Sequence, residues 1–185
     1  MARAFIFHGT AGYPDENWFP WLKAELEKKG CETVVPQFPT PEGQTLENWF
    51  AVMEKNGWES GGETILVGHS LGGAFALRLL ERGAKAKAAF LVGTPIGIGN
   101  VKNQKADGDF TGKPFDWKAI RKNCPEFSVF QSDNDPYVPI ENGKELAKNL
   151  GVEMTFEPGC GHFNKASGFL KFDLLLGKIV GVLEK

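Results

Sequence analysis

The chain lacks several features that mark specialised classes of protein. Among its 185 residues there are only three cysteines, an odd number without metal-ligand spacing, so we expect free thiols rather than a disulfide framework. The formal net charge is −2, which gives no electrostatic reason to expect nucleic acid or a membrane surface as a partner. No apolar run is long enough to cross a membrane, and the one at the N-terminus is too short for a signal peptide. These absences favour a cytoplasmic protein.

Internal repeats, low-complexity segments and a distinct linker are also missing. The 23 glycines and 11 prolines punctuate the chain in many short turns, and its length suits a single domain over residues 1–185. The run Asp107-Gly108-Asp109 lacks the remaining spacing of a calcium loop, so we interpret it as a solvated turn. We therefore expect neither a metal nor a cofactor.

What the sequence does contain is a regular alternation of strand and helix patterns. The predicted strands cover residues 3–7, 32–35, 64–67, 88–92, 127–131 and 153–156. The predicted helices lie near residues 18–29, 46–56, 71–82, 117–123, 141–150 and 169–183. This alternation, with right-handed crossovers, predicts an α/β fold with a doubly wound sheet of six parallel strands in the order 2-1-3-4-5-6. Helices would flank the sheet, without a large cap domain, and an active site would lie at the carboxyl ends of the strands.

The most informative motif follows the third predicted strand, where Gly68-His69-Ser70-Leu71-Gly72 leads into an apolar helix. A serine on such a sharp strand-to-helix turn has a strained backbone and an exposed hydroxyl. Gly68 and Gly72 suit the turn because side chains there would collide. The backbone N–H of Leu71 can stabilise an oxyanion at the start of the helix. The motif therefore indicates that Ser70 is a nucleophile.

Two further strand ends supply the groups that a serine nucleophile needs. Asp135 follows the fifth predicted strand, and His162 lies in a glycine-rich turn after the sixth. Neutral His162 can take the proton of the Ser70 hydroxyl, and a buried carboxylate can hold the imidazole in the required tautomer. We favour Asp135 for the carboxylate. Asp133 is the alternative, although a turn role would equally explain its presence.

The remaining histidines and the loop after the first strand are given supporting roles. We expect the His69 side chain to point away from Ser70, where it packs or makes a hydrogen bond, and His8 to fix its loop through backbone hydrogen bonds. An oxyanion hole needs two donors, and the second N–H comes from the loop after the first core strand. Thr10 is the first choice for this donor and Ala11 the second.

With these motifs the chain resembles a known family, the small α/β-hydrolases typified by retinoblastoma-binding protein 9. The resemblance covers nearly the whole chain and includes, besides the segments above, the runs His8-Gly9-Thr10, Trp18-Phe19-Pro20-Trp21-Leu22, Pro36-Gln37-Phe38-Pro39 and Leu46-Glu47-Asn48-Trp49. It implies a serine hydrolase with Ser70, Asp135 and His162 as its catalytic triad. It also implies a sheet without the first two strands of larger relatives, and carboxylesterase or amidase activity.

Residues 96–123 are the candidate lid, a short segment in which Phe110, Phe115 and Trp117 could cover the site. The other large aromatic side chains suit the core better than an acyl pocket, although a few could line one. Most of the five tryptophans are therefore expected to be buried.

The expected function is cofactor-free hydrolysis of a small carboxylic ester, or a related acyl bond, through an acyl-enzyme. The alternative is a catalytically weak or inactive hydrolase-fold protein that acts as a protein-binding module, although no sequence feature supports such a partner. A weaker alternative is an enzyme that uses Cys160, which lies two residues from His162 but on a loop rather than at a helix N-terminus.

Overall fold

The computed structural model describes residues 2–58, 61–99 and 106–185, in which six strands form one parallel sheet in the order β2-β1-β3-β4-β5-β6. The strands are β1 (Arg3–Phe7), β2 (Glu32–Val34), β3 (Thr64–His69), β4 (Ala88–Val92), β5 (Glu126–Gln131) and β6 (Met154–Phe156). The helices are α1 (Phe19–Lys28), α2 (Leu46–Lys55), α3 (Leu71–Glu81), α4 (Gly108–Thr111), α5 (Trp117–Asn123), α6 (Ile140–Leu150) and α7 (Asp173–Leu183). The predicted fold class and strand order are confirmed.

The central strands are apolar on both faces because helices cover the sheet from both sides. Phe5 and Phe7 of β1 belong to a core cluster with residues of α2, α3 and α6. Ala4 and Ile6 of the same strand belong to a second cluster with residues of α1 and α7. Alternate residues of one strand therefore pack in the hydrophobic cores on opposite faces of the sheet. This explains why the strand sequences are continuously apolar rather than alternating between apolar and polar residues. Trp18 and Trp49 are fully buried. Trp21, Trp58 and Trp117 are only partly buried against the core, so fewer tryptophans are buried than expected.

Local signals set several helix boundaries close to the predicted ones. The side chain of Thr45 accepts a hydrogen bond from the N–H of Asn48 and begins α2, while Asp116 does the same for Ala119 at the start of α5. Gly151 ends α6 with a φ of 75°, a conformation that a residue without Cβ adopts readily. Because these capping residues are next to the helices that they begin or end, the helix boundaries could be predicted from the sequence.

The last helix begins later than predicted, at Asp173 rather than near residue 169. A 3₁₀ turn over Lys165–Ser167 precedes it, and Gly168 has a φ of 88°. The N–H of Phe169 donates to the carbonyl of Asn164 at 3.0 Å, so this residue closes the turn instead of starting a helix. The apolar pattern continues through this turn because Phe169 packs against the core, and this pattern caused the error.

The described part of the candidate lid packs on helix α3. Phe110 is fully buried among core aromatic side chains, and Phe115 and Trp117 pack against the same cluster. Arg78 of α3 fixes the segment, because its Nε donates to the carbonyl of Phe110 at 2.8 Å and its guanidinium lies 3.8 Å from the centre of the Phe115 ring. Residues 100–105 of this segment lie outside the described residues.

Within the described residues, no helix has the length and apolar character needed to cross a bilayer.

Candidate active site

The sharp turn between β3 and α3 has the strained geometry expected for it. Ser70 has φ 55° and ψ −126°, a conformation that L-residues rarely adopt. A Cβ on Gly68 would lie 2.4 Å from the Cα of Gly73, and one on Gly72 would lie 2.3 Å from the carbonyl oxygen of Phe7. Only glycine fits at either position. The turn therefore holds the Ser70 side chain at the carboxyl end of the sheet.

Ser70 and His162 line the same cavity, which has a volume of about 310 Å³ and lies at this end of the sheet. Gly9, Thr10 and Tyr137 contribute further parts of its wall. A Cβ on Gly9 would lie 2.7 Å from the Cβ of Ser70, so the loop after β1 passes directly against the serine. The structure thus brings residues that follow four different strands, β1, β3, β5 and β6, to one cavity.

Asp135 and His162 form a buried hydrogen-bonded pair. Nδ1 of His162 lies 2.7 Å from Oδ2 of Asp135, whose side chain is 1% exposed. The other carboxylate oxygen accepts hydrogen bonds from the N–H groups of Tyr137 at 2.8 Å and Val138 at 3.0 Å. Because a carboxylate can only accept, the proton of the neutral ring resides on Nδ1 and Nε2 has a free lone pair. This is the tautomer that a general base needs.

Asp133, the alternative carboxylate, belongs instead to a clamp between two loops. Three consecutive side chains after β5 accept hydrogen bonds from three backbone N–H groups of the loop before His162. The pairs are Asp133 Oδ1 with Gly159 at 2.8 Å, Ser132 Oγ with Cys160 at 3.0 Å and Asn134 Oδ1 with Gly161 at 2.7 Å. The clamp was not predicted. The Ser-Asp-Asn run is its only sequence signal, and it does not reveal the partner loop.

His69 and His8 both stabilise loops of the site. His69 Nε2 donates to the carbonyl oxygen of His162 at 2.7 Å, which confirms the expected hydrogen bond. His8 Nδ1 donates to the carbonyl of Gly9 at 2.9 Å, while its Nε2 accepts from the N–H of Phe38 at 3.0 Å. Burial lowers the pKa of His69 to about 3, helped by nearby His162, and burial also lowers the pKa of His8. Both rings are therefore neutral near pH 7.

Gly93, directly after β4, is a site residue that the sequence did not reveal. Its φ is 54°, and a Cβ there would lie 3.2 Å from Nδ1 of His162 and 3.3 Å from Oδ2 of Asp135. The backbone of Gly93 therefore packs closely against the hydrogen-bonded pair. One glycine among 23 carries no local signal of such a role.

The N–H groups near Ser70 differ in whether they already have a partner. The N–H of Ala11 donates to Thr40 Oγ1 at 2.7 Å, and that of Gly12 donates to the carbonyl of Gly9 at 3.1 Å. Leu71 is the first residue of α3, so its N–H has no partner within the helix. Thr10 lies on the cavity wall beside Ser70.

The charges near the cavity are few. Glu16 is the one carboxylate among the described residues of its wall, which include no lysine or arginine, and burial raises the pKa of Glu16. Burial also raises the pKa of the Cys160 thiol, and the nearby carboxylates of Glu157 and Asp133 act in the same direction. These shifts disfavour a Cys160 thiolate.

Within residues 2–58, 61–99 and 106–185, no group of three or more histidine, cysteine or acidic side chains could hold a metal.

Comparison with known proteins identifies the family. A family model described as serine hydrolase matches residues 4–178, almost the whole chain. The chain belongs to the serine hydrolase family. Its parallel sheet and strand order are those of an α/β-hydrolase, which agrees with the solved structures described next.

Several members and neighbours resemble this serine hydrolase over most of their length. The protein YdeN of Bacillus subtilis (strain 168) is 28% identical over 187 aligned residues, covering 99% of this chain and 97% of YdeN. The serine hydrolase RBBP9 of Rattus norvegicus is 29% identical over 164 residues, or 87% of each chain. The crystal structure of the B. subtilis ydeN gene product has a TM-score of 0.90 at 25% identity and covers all of both chains. Est1E from Butyrivibrio proteoclasticus with bound ferulic acid has a TM-score of 0.72 at 14% identity, covering 100% of this chain and 90% of Est1E, and shows the fold alone.

Proposed function

We propose that this serine hydrolase is a carboxylesterase-like enzyme that cleaves small esters, or related acyl bonds, through a Ser70–His162–Asp135 triad. The observation that carries the proposal is the 2.7 Å contact between His162 Nδ1 and Asp135 Oδ2, made by a histidine that shares a cavity with the strained Ser70. Asp135 is favoured over Asp133 because Asp133 is exposed and bonded to the Gly159 backbone.

The reaction would proceed in two halves. Ser70 Oγ attacks the carbonyl carbon while its proton moves to His162 Nε2, and Asp135 stabilises the resulting imidazolium. The tetrahedral intermediate collapses, and the leaving alcohol takes the proton from His162. Water then attacks the acyl-enzyme with His162 again as base, which releases the acid and restores Ser70. These steps use only groups of the chain, so the proposal includes no cofactor or metal.

The oxyanion would be held by the backbone N–H groups of Leu71 and Thr10. Leu71 opens α3 beside the nucleophile, where the helix dipole also favours negative charge. Thr10 is preferred to Ala11 because the N–H of Ala11 already donates to Thr40 Oγ1. A cytoplasmic location and a small-molecule substrate complete the proposal. A protein-binding role on the same scaffold is the alternative that the experiment below separates.

Labelling with a fluorophosphonate probe, followed by mass mapping of the adduct, tests the nucleophile directly. The purified protein should form one adduct on Ser70, and both the adduct and ester turnover should be lost in Ser70→Ala. His162→Ala should also lose them, because the serine then lacks its base.

Cys160→Ala is the matched control for the thiol alternative. It should keep both the adduct and ester turnover, because Cys160 has no step in the proposed reaction. Turnover that survives in pure Ser70→Ala protein would refute the assignment. Folded wild-type protein that neither reacts with the probe nor cleaves an ester panel would favour the protein-binding role.

A further inference from the structure

A closed ring of hydrogen bonds surrounds the loop that carries Thr10 and Ala11. Thr10 Oγ1 donates to Asp107 Oδ1 at 2.6 Å, and Gln44 Nε2 donates to the same oxygen at 3.0 Å. The hydroxyl of Thr40 donates to Gln44 Oε1, and the N–H of Ala11 donates back to Thr40 Oγ1 at 2.7 Å. Two successive loop residues are therefore held from outside by one connected set of side chains.

The direction of these hydrogen bonds shows which residue the ring depends on. On one side, the Ala11 N–H, the Thr40 hydroxyl and the Gln44 amide each donate one step closer to Asp107. On the other side, the Thr10 hydroxyl donates to Asp107 directly, so both branches end on Asp107 Oδ1. Asp107 is 3% exposed and Gln44 is 7% exposed, so water has little access to replace either bond. Without this acceptor the half-buried Thr10 hydroxyl would lose its hydrogen bond to Asp107, and the buried Gln44 amide would keep only its bond to the carbonyl of Ala106 at 3.0 Å.

The ring also fixes a backbone conformation that would otherwise be unfavourable. Ala11 has a φ of 58°, in the left-handed region that non-glycine residues seldom occupy. Its N–H is bound by Thr40, and the preceding residue is bound through its side chain, so both sides of the Thr10–Ala11 peptide are restrained. This orientation is the one in which Thr10 borders the cavity beside Ser70.

We propose that Asp107 is a positioning residue, which through Thr10 and Gln44 holds the Thr10 N–H in place to stabilise the oxyanion. The inference rests on the proposed function, since it assumes that Ser70 generates an oxyanion in this cavity. Asp107 itself does not touch the substrate. Asp107 acts on the reaction only through the loop after β1, in which Thr10 lies 97 residues before Asp107 in the sequence.

The test compares kcat, KM and melting temperature for variants of the full chain with a p-nitrophenyl ester. Thr10→Val removes only the donating hydroxyl and should lower kcat about ten-fold with little change in KM. This loss is smaller than the ~100- to 1000-fold decrease in kcat expected from complete removal of an oxyanion donor, because the Thr10 N–H itself is kept. Asp107→Ala should lower kcat at least as much. Asp107→Asn should restore most of it, because the amide oxygen can accept both hydrogen bonds.

Asp109→Asn is the matched control, because Asp109 lies two residues after Asp107 but is exposed and accepts instead from the N–H of Leu46 at 2.6 Å. It should keep wild-type kcat. The double variant Thr10→Val/Asp107→Ala should lose no more than Asp107→Ala alone, because both changes remove the same contact. The affinity for a boronic acid that forms a tetrahedral adduct should fall in parallel with kcat.

Unchanged kcat in Thr10→Val, an equal loss in Asp109→Asn, or fully additive losses in the double variant would each overturn the role of Asp107. These results are distinct from failure of the proposed function, in which the wild-type protein itself shows no Ser70 adduct and no turnover. In that case both proposals fall.

Discussion

At the scale of single residues, Glu16 is the one carboxylate among the described residues that line the cavity beside Ser70. Glu16 lies among the residues that surround Ser70, and burial raises its pKa above the ordinary range of a glutamate, so a charged Glu16 is poorly screened by water. Among the described residues of the wall there is no lysine or arginine to balance it. We therefore expect the cavity to disfavour substrates with an anionic acyl group.

Glu16→Gln should reduce this discrimination. The kcat/KM for the anionic p-nitrophenyl hemisuccinate, relative to that for the neutral butyrate ester, should rise about five-fold, or ~1 kcal/mol. The neighbouring Asp15→Asn makes the same change in net charge at an exposed position and should leave the ratio unaltered. Equal effects of the two variants would show that only overall charge matters. The difference should also shrink at high salt.

At the scale of elements, the site depends on how closely the ends of neighbouring strands approach one another. Gly93, which directly follows β4, packs against the His162–Asp135 pair, and the clamp after β5 fixes the loop that carries His162. The backbone groups in these contacts belong to loops, but the sheet determines their spacing. Small changes at a strand end should therefore affect the chemistry more than the stability.

Gly93→Ala should test this. Its Cβ would meet the His162 ring, so kcat should fall about ten-fold or more through misalignment of the base. Gly151→Ala is the control, because Gly151 also has a positive φ but a Cβ there would meet no atom within 4 Å. Both variants should lose about 1–2 kcal/mol of stability from backbone strain, while only Gly93→Ala loses activity. Equal kcat values in the two variants would contradict this role.

At the scale of the whole molecule, buried neutral histidines link stability to pH. Burial lowers the pKa of His69 to about 3 in the folded state, whereas in the unfolded chain the ring takes up a proton near the ordinary histidine pKa of 6.5. Between these values the unfolded state binds more protons, so stability rises with pH and is lost on acidification below 6.5. His8 acts in the same direction, because burial lowers its pKa as well.

Urea unfolding between pH 6.5 and about 5 should show this dependence. His69→Gln keeps a donor for the His162 carbonyl but cannot be protonated. As the pH is lowered, its free energy of unfolding should therefore decrease less steeply than that of the wild type. The two slopes should differ by up to about 1.4 kcal/mol per pH unit. Parallel curves for the two proteins would contradict the buried neutral state of His69.

The sequence by itself determined the features that depend on short stretches of chain. The alternation of patterns predicted the α/β class, and the handedness of crossovers then restricted the strand order to the one observed. The strained turn at Ser70 could be predicted because its glycines are adjacent to it. The proximity of Asp135 and His162 could be predicted because each follows a strand whose end must lie at the same edge of the sheet. The start of α7 was misplaced because an apolar pattern alone does not distinguish a packed turn from a helix.

Only the tertiary structure decided which distant groups meet. Gly93 packs on His162 69 residues away, while the ring through Asp107 and the clamp after β5 join loops from different parts of the chain. The choice between Thr10 and Ala11 likewise depends on a bond from Ala11 to Thr40. Such contacts leave no local pattern, because a hydrogen bond between loops is specified by the positions that the whole sheet gives their ends, and not by the residues on either side.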